Sequence, residues 1–173
     1  MEASGTEGTP PRPLIERAIE TEDIRALGLG PPITVRTDAT LQEVVETLQA
    51  RHIGCVLVVD AGGKLAGIFT ERDLLTRVAL RSLDWSKERV ADFMTRDPET
   101  LHPDDRIAWA LKLMHVGGYR HVPLTDADGR PVGVISVKDI VEFIIELMPG
   151  PVLNLPPDPH RPPSNDEDPG GTD

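Results

Sequence analysis

Apolar side chains recur along the chain in two spacings, and each spacing predicts one kind of element. Leu41, Val44, Val45 and Leu48 fall at i, i+3, i+4 and i+7, which places them on one stripe of an amphipathic helix. The runs CVLVVD and LAGIFT follow that helix, are rich in Val and Ile and are joined by a DxxG turn, so they predict a two-stranded hairpin. PPITV before the helix predicts a short strand entered through proline, and RDLLTRVAL after the hairpin predicts a further helix. The unit therefore reads strand, helix, strand, strand, helix.

The same unit is written a second time 66 positions later, without a gap. Ile107, Ala110, Leu111 and Met114 repeat the helical stripe, while PETLH, VPLTD, PVGVIS and KDIVEFIIELM repeat the strands and the last helix. TDAT and HPDD precede the two striped helices and are suited to an N-cap. A unit of about 60 residues buries only a limited part of its surface, so we expect the two copies to pack against each other.

One motif recurs where the second strand of each hairpin meets the last helix: GIFTERD at 67–73 and GVISVKD at 133–139. Thr70 and Asp73 are three positions apart, as are Ser136 and Asp139, and this is the spacing of a capping box. The same helix start also favours phosphate through its free N–H groups and its dipole. A carboxylate at the third position can accept hydrogen bonds from a ribose diol, and a basic residue precedes it in both copies. On the sequence alone, capping and nucleotide binding are both open interpretations.

Composition narrows the class of protein. The chain has 173 residues, of which 39% are hydrophobic and only 3% aromatic, so we expect one compact body with an aliphatic core from about residue 14 to residue 148. Residues 1–13 and 149–173 are polar and proline-rich, which predicts disorder. The net charge of -11 argues against nucleic acid as a partner. The chain shows neither a long apolar run nor a secretory signal, so we expect no membrane contact and a cytoplasmic location.

Catalytic chemistry finds little support in the sequence. Cys55 lies in an apolar run, where a buried inert thiol is the usual outcome. His52, His102 and His115 lack metal-ligand spacing, and we find neither a nucleophile elbow nor a glycine-rich phosphate loop. We therefore expect that the protein is not an enzyme and holds no metal.

The doubled motif, the two DxxG hairpins and the segment VADFMTRDPETLHPDD resemble the cystathionine-beta-synthase-type (CBS) domain, here as a tandem pair or Bateman module covering about residues 14–148. The resemblance implies an α+β fold of two units related by a pseudo-twofold axis. Residues 14–82, including an N-terminal helix, would form the first repeat, and residues 83–148 the second. It also implies a stand-alone CBS-domain protein of bacterial type that regulates rather than catalyses.

The resemblance further implies two clefts that bind AMP, ADP, ATP or S-adenosylmethionine as an effector, with no required cofactor. In such pairs the Asp of the motif binds ribose, the Ser or Thr and the basic residue reach phosphate, and adenine lies among apolar residues of the other repeat. Carried over, the first cleft would use Thr70, Arg72, Asp73, Tyr119, Arg120 and His121. The second cleft would use Ser136, Lys138, Asp139, Ile33, Ile53, Gly54 and Cys55.

The two clefts are predicted to differ in preference. Arg72 and Arg120, with His121 as a titratable neighbour, favour a di- or triphosphate in the first cleft. Lys138 is the only evident cation of the second cleft, which favours a monophosphate, a nucleoside-like ligand or no ligand. Glu99 occupies the register of Ile33 and weakens an apolar adenine slot in the first cleft.

The last helix of each repeat predicts how the protein associates. Both carry apolar faces that we expect to form a homodimer, and ligand occupancy would pass through it to an unidentified effector protein. The alternative is a scaffold for interaction and dimerisation that binds no ligand. The residues of the two faces are Leu74, Leu75 and Val78, and Ile140, Val141, Ile144 and Leu147.

Overall fold

The structure, a computed structural model, describes residues 13–155 and has an α+β architecture of helices and two β-sheets. In chain order the elements are α1 (Leu14–Thr21), a 3-10 turn (Ile24–Leu27), β1 (Thr34–Arg36), α2 (Leu41–Arg51), β2 (Cys55–Val59), β3 (Leu65–Thr70) and α3 (Glu71–Asp73), which continues as a π-helical segment (Leu74–Val78). They continue with a 3-10 turn (Val90–Asp92), β4 (Thr95–Arg96), α4 (Ile107–Gly117), β5 (His121–Thr125), β6 (Pro131–Ser136), α5 (Val137–Leu147) and α6 (Pro149–Leu153).

The predicted hairpins are present in both repeats and have the same register. Cys55 pairs with Thr70 in the first hairpin, and His121 pairs with Ser136 in the second, 66 positions further on. In the first sheet β1 lies parallel to β2, and the strand order is β1-β2-β3-β4. The second sheet consists of β5 and β6 alone. Each hairpin ends at its Thr or Ser, which fixes where the motif helix begins.

The predicted strand over PETLH is wrong. The strand in this region, β4, lies earlier and pairs with β3 of the first repeat, while Leu101 makes only a single parallel bridge to Leu124. Asp97 adopts a left-handed conformation with φ 44°, so the chain turns directly after Arg96. In the first sheet the N–H of Leu57 donates to the carbonyl of Ile33, but the equivalent residue of β5 is Pro123, which has no N–H to donate, so the pairing stays a single bridge.

The two striped helices begin differently. Thr40 caps α2 through a complete capping box with Glu43, as TDAT predicts. The prediction of a cap within HPDD is wrong, because α4 begins after Arg106 without a side-chain cap. Asp105 instead accepts a hydrogen bond from the backbone N–H of His102 at 2.7 Å, which uses the carboxylate in the preceding turn.

The motif helix of the first repeat departs from the α-helix predicted over RDLLTRVAL. After Asp73 it continues in π geometry, with the N–H of Ala79 bonded to the carbonyl of Leu74 at 2.9 Å. The Thr76 hydroxyl donates to the carbonyl of Arg72, four residues earlier, at 2.7 Å, a contact that bends helices. In the second repeat α5 is a regular α-helix over its whole length.

Of the three hydrophobic clusters among the described residues, the two larger ones exchange leading segments between the repeats. Ile24 precedes the first repeat's strands, yet it is buried in the core of the second repeat with Ile107. Val90 stands 66 positions later and is buried in the core of the first repeat with Phe69. The backbone repeats the exchange, since the N–H of Ile24 donates to Asp105 and that of Val90 donates to Ala39, both at 2.9 Å. Each core is therefore completed by the other repeat.

Three further predictions concern surfaces and chain ends. Val78 and Ile140, assigned to the dimer faces, are instead buried in the cores of their own repeats, because they occupy the inward stripe of their helices.

Helix α6 lies where the sequence predicted disorder, and Pro149 stands at its first position, where a missing N–H costs nothing. Residues 1–12 and 156–173 of the predicted disordered ends lie outside the described residues. Among the helices that the structure describes, none has the length and apolarity to cross a bilayer.

Candidate functional site

Two clefts open between the repeats, and each begins at one of the two motifs. The first encloses a cavity of about 550 Å³ and the second one of about 440 Å³. Both volumes fall in the range of small-molecule sites, roughly 300–1,000 Å³. The structure brings every predicted residue to its assigned cleft: Thr70, Arg72, Asp73, Tyr119, Arg120 and His121 to the first, and Ser136, Lys138, Asp139, Ile33, Ile53, Gly54 and Cys55 to the second.

Both motif carboxylates form the predicted capping boxes. Oδ2 of Asp73 accepts from the backbone N–H of Thr70 at 3.0 Å and from its hydroxyl at 2.7 Å. Oδ2 of Asp139 accepts from the same two groups of Ser136, both at 2.6 Å. The hydroxyls in turn accept from the backbone N–H of the Asp, which completes each box. Capping fixes the position of the carboxylate but occupies only one of its two oxygens.

The second carboxylate oxygen distinguishes the clefts. Oδ1 of Asp73 accepts from the Thr95 hydroxyl and pairs with Nε of Arg77, both at 3.3 Å, and the residue is buried. Asp139 is half-buried, and within residues 13–155 no donor reaches its Oδ1. A ligand hydroxyl would displace protein contacts at Asp73, whereas at Asp139 it meets an open acceptor.

The first cleft is electrostatically balanced rather than strongly basic. Glu71, Asp97 and Glu99 line it together with Asp73, so its carboxylates equal its arginines in number. The four arginines are Arg72, Arg77, Arg96 and Arg120. The formal charges of these groups cancel, which reduces the attraction of the cavity for a polyphosphate relative to the sequence expectation.

Three of the four arginines are also held by the protein. Nη1 of Arg72 donates to the carbonyl of Gly118 at 3.1 Å and so links the first motif to the end of α4. Nη1 of Arg77 donates to the carbonyls of Phe93 at 2.9 Å and Met94 at 2.7 Å. Nη2 of Arg96 donates to the carbonyl of Ala91 at 2.6 Å. These side chains retain further N–H donors, but their positions are set by structural contacts.

The second cleft combines an apolar wall with fewer charges. Ile33 and Ile53 are half-buried against the core of the first repeat, and Cys55 lies beside them. Burial, reinforced by the negative charges of Asp139 and Glu71, raises the pKa of the Cys55 thiol to about 12, so the thiol is neutral at physiological pH. Lys138 is exposed and pairs with Glu142 at 3.2 Å. This wall opposite an open carboxylate is suited to a flat apolar ring attached to a sugar.

Gly54, Arg120 and His121 line both clefts and form the wall between them. The His121 ring lies against Gly54, where an added Cβ would stand 3.1 Å from Cε1 and 3.2 Å from Nε2. Burial lowers the pKa of His121, an effect that nearby Glu71 and Asp139 oppose. The lowered pKa favours the neutral ring at pH 7, so His121 offers the clefts a polar, uncharged surface rather than a cation.

Sequence reasoning missed several lining residues. Arg77 stands four positions after Asp73 on one helix, a spacing at which opposite charges meet, so its pairing was accessible from the sequence. Thr95 and Arg96 lie in the segment VADFMTRDPE, but only the pairing of β4 with β3 brings them to the cleft. Among the described residues, no group of three or more His, Cys, Asp or Glu is arranged to hold a metal ion.

Comparison with known proteins gives a consistent picture. The family model described as "CBS domain" matches residues 24–80 and 90–146. The CBS domain-containing protein CBSCBSPB1 of Arabidopsis thaliana is 36% identical over 72% of this chain, and the chain spans 22% of that longer protein. The crystal structure of the CBS-domain containing protein ATU1752 from Agrobacterium tumefaciens is 33% identical, with a TM-score of 0.65, and covers 72% of this chain and 100% of its own.

A further solved structure carries ligands. The CBS domain pair of protein MJ0100, in complex with 5'-methylthioadenosine and S-adenosyl-L-methionine, is 27% identical to this chain. It has a TM-score of 0.63 and covers 71% of this chain and 99% of its own. Both family-model matches begin at the exchanged residues, Ile24 and Val90, so the exchange lies within the matched regions.

Proposed function

The chain belongs to the CBS-domain family as a tandem pair, and from this premise we propose that it is a regulatory module that binds an adenosine-containing ligand. Ligand occupancy changes how the two repeats sit against each other and is passed on to an effector protein. AMP, ADP, ATP and S-adenosylmethionine are the candidate effectors. The likeness to MJ0100, whose structure holds two adenosyl compounds, supports this class of ligand.

The open oxygen of Asp139 is the observation that carries the proposal. The capping box holds the carboxylate in place through Oδ2 and leaves Oδ1 facing a cavity of about 440 Å³. The hydroxyls of a ribose diol can donate to this carboxylate oxygen. Ile33 and Ile53 offer an apolar surface for adenine. Lys138 and Arg120 line the same cleft for a phosphate. We therefore propose the second cleft as the primary site and the first cleft as the weaker one.

A thermal-shift measurement tests the proposal directly. At a ligand concentration a hundredfold above the dissociation constant, binding to the native state adds about 2.7 kcal/mol, which raises the Tm of a chain of this size by roughly 5–10 °C. We expect this rise with at least one of AMP, ATP and S-adenosylmethionine. Asp139→Ala should abolish most of the rise, and Asp73→Ala should reduce it less.

The chain provides a matched control for the loss of a cap. Glu43 completes the same kind of capping box at α2 but lines neither cleft. Glu43→Ala should lower the Tm of the free protein, as the two Asp variants do, yet keep the full ligand-induced rise. An equal loss of the rise in Glu43→Ala and Asp139→Ala would contradict the assigned role of Asp139.

The competing function is a scaffold that binds no ligand. Its support is that both motif carboxylates serve as caps and that Asp73 has both oxygens engaged. This function requires that none of the adenosyl compounds shifts the Tm while the protein still associates with itself.

We also propose that the protein forms a homodimer through the last helices of its two repeats. Leu75 and Val141 occupy equivalent positions 66 residues apart, and 67% and 48% of their surfaces are exposed. Leu74, Ile144 and Leu147 are half-buried beside them. The twofold relation of the repeats gives the module two equivalent apolar edges, which supports closure with a second copy.

A further inference from the structure

One guanidinium stands between the two clefts. Arg120 lines both cavities, although its backbone belongs to the second repeat, where its carbonyl accepts from the N–H of Val137 at 3.1 Å. The equivalent carbonyl in the first repeat is that of Gly54, which accepts from the N–H of Glu71, also at 3.1 Å. The backbone therefore repeats across the 66-residue spacing, but the side chain does not. Two clefts of common origin share one arginine at this position.

The wall between the clefts leaves little room for a second arginine at position 54. A side chain at position 54 would begin 3.1 Å from Cε1 of His121, which is tighter than an ordinary van der Waals contact. The His121 ring occupies the space in the dividing wall that a second arginine would need.

Arg120 also differs from the other cations of the clefts. Arg72, Arg77 and Arg96 donate to backbone carbonyls, and Lys138 pairs with Glu142. Arg120 is exposed, and within residues 13–155 its side chain makes no hydrogen bond or ion pair. Its five N–H donors are therefore available to a ligand in either cleft without breaking a protein contact.

We propose that Arg120 is a single anion-binding residue shared by the two clefts, so that phosphate-bearing ligands in the two clefts bind with negative coupling. A guanidinium holds one phosphate in a bidentate, charge-assisted pair, and it cannot hold two in opposite directions. The second phosphate to bind loses this contact and faces the first across a thin wall. The module would thus favour one phosphate ligand together with one ligand that lacks a phosphate. This inference rests on the proposed function, because it requires ligands in both clefts.

Calorimetric titration of the full chain with AMP and with adenosine tests the coupling. Asp73→Asn and Asp139→Asn each leave one working cleft and give the two single-cleft association constants. For independent clefts, the overall two-site constant of the wild-type chain equals the product of those two constants. With AMP we expect it to be about tenfold smaller than the product, within the usual range of coupling between sites. With adenosine, which has no phosphate, we expect equality.

Arg120→Ala provides the decisive variant, and Arg89→Ala is its control. Arg89 is exposed and lines neither cleft, so its removal changes the net charge equally but should keep the tenfold deficit. In the Arg120→Ala background, combined in turn with Asp73→Asn and with Asp139→Asn, the overall two-site constant for AMP should equal the product of the two single-cleft constants. If wild-type protein binds one AMP and Arg120→Ala binds two, the coupling is stronger than tenfold and the inference holds.

Two results overturn the inference alone: AMP binding at independent clefts in the wild-type chain, or the same deficit in Arg120→Ala. A single AMP site in both chains overturns it as well. If neither AMP, adenosine nor S-adenosylmethionine binds any of the chains, the proposed function fails first, and the inference fails with it.

Discussion

The glycine that opens each motif meets different surroundings in the two repeats. A Cβ at Gly67 would lie 2.5 Å from Sδ of Met94 and 2.7 Å from the carbonyl oxygen of Thr95. The three atoms nearest to a Cβ at Gly133 all belong to the Leu124 side chain, the nearest being Cδ1 at 3.1 Å. The difference follows from β4, which pairs with the first hairpin, whereas among residues 13–155 no such strand pairs with β6 of the second hairpin. Gly67 is therefore required by close strand packing, while Gly133 faces a side chain that can move.

We predict that Gly67→Ala destabilises the protein by about 1–3 kcal/mol, the usual cost of forcing an extra methyl group into a packed interior. Gly133→Ala should cost clearly less, because Leu124 can rotate away. Urea unfolding of both variants measures the difference. Equal costs would show that the pairing of β4 with β3 does not control the first motif.

At the level of single residues, the sequence predicted where the side chains lie better than it predicted which hydrogen-bond partners engage them. The spacing of Thr70 and Asp73 placed both side chains in one capping box, because that geometry is local to one helix start. The engagement of the second oxygen of Asp73 by Thr95 was not predictable, because the two residues are 22 positions apart and meet only in the folded chain. The chemical difference between the two clefts arises from such distant contacts.

Among the elements, those with a clear hydrophobic period were predicted and those set by tertiary packing were not. Helix α2 and both hairpins match the apolar spacings from which they were inferred. The π geometry of Leu74–Val78 has no evident signature in RDLLTRVAL, which resembles its α-helical counterpart in composition. Two contacts accompany the π geometry. The Thr76 hydroxyl donates within the helix, and the Arg77 guanidinium donates to the carbonyls of Phe93 and Met94, just before β4.

We predict that backbone amides in the π segment exchange with deuterium faster than those of the equivalent residues of α5. The helix of the first repeat is shorter than α5, and short, less packed segments open at lower free energy. Hydrogen exchange followed by mass spectrometry compares residues 74–78 with 140–144 within the same molecule. Equal protection of the two segments would contradict the prediction.

At the level of the whole molecule, the apolar edges predict self-association. Val141→Glu and Leu75→Glu place a charge on the proposed dimer face, so each should shift the protein from dimer to monomer at micromolar concentration. Sedimentation velocity measures the shift. Val116→Glu is the control, because Val116 is 76% exposed on α4 and lies outside that face. A strictly monomeric wild-type chain, or a Val116→Glu variant that dissociates equally, would exclude the proposed face.

The repeat itself was readable from the sequence, whereas the exchange of leading segments was not. A register of 66 positions aligns Ile24 with Val90, but alignment does not tell which core each residue enters. That choice depends on where the chain crosses between the repeats, and it is shown by the burial of the two side chains and by the backbone contacts to Asp105 and Ala39.

The exchange of leading segments also predicts how either repeat would behave if it were produced alone. A fragment carrying the second repeat would lack Ile24, which is buried beside Ile107, and its Val90 would lose the first-repeat core in which it is buried beside Phe69. Two identical fragments could complete each other's cores by exchanging their leading segments. The exchange therefore predicts that a single repeat, produced alone, associates into a pair in which each copy completes the core of the other.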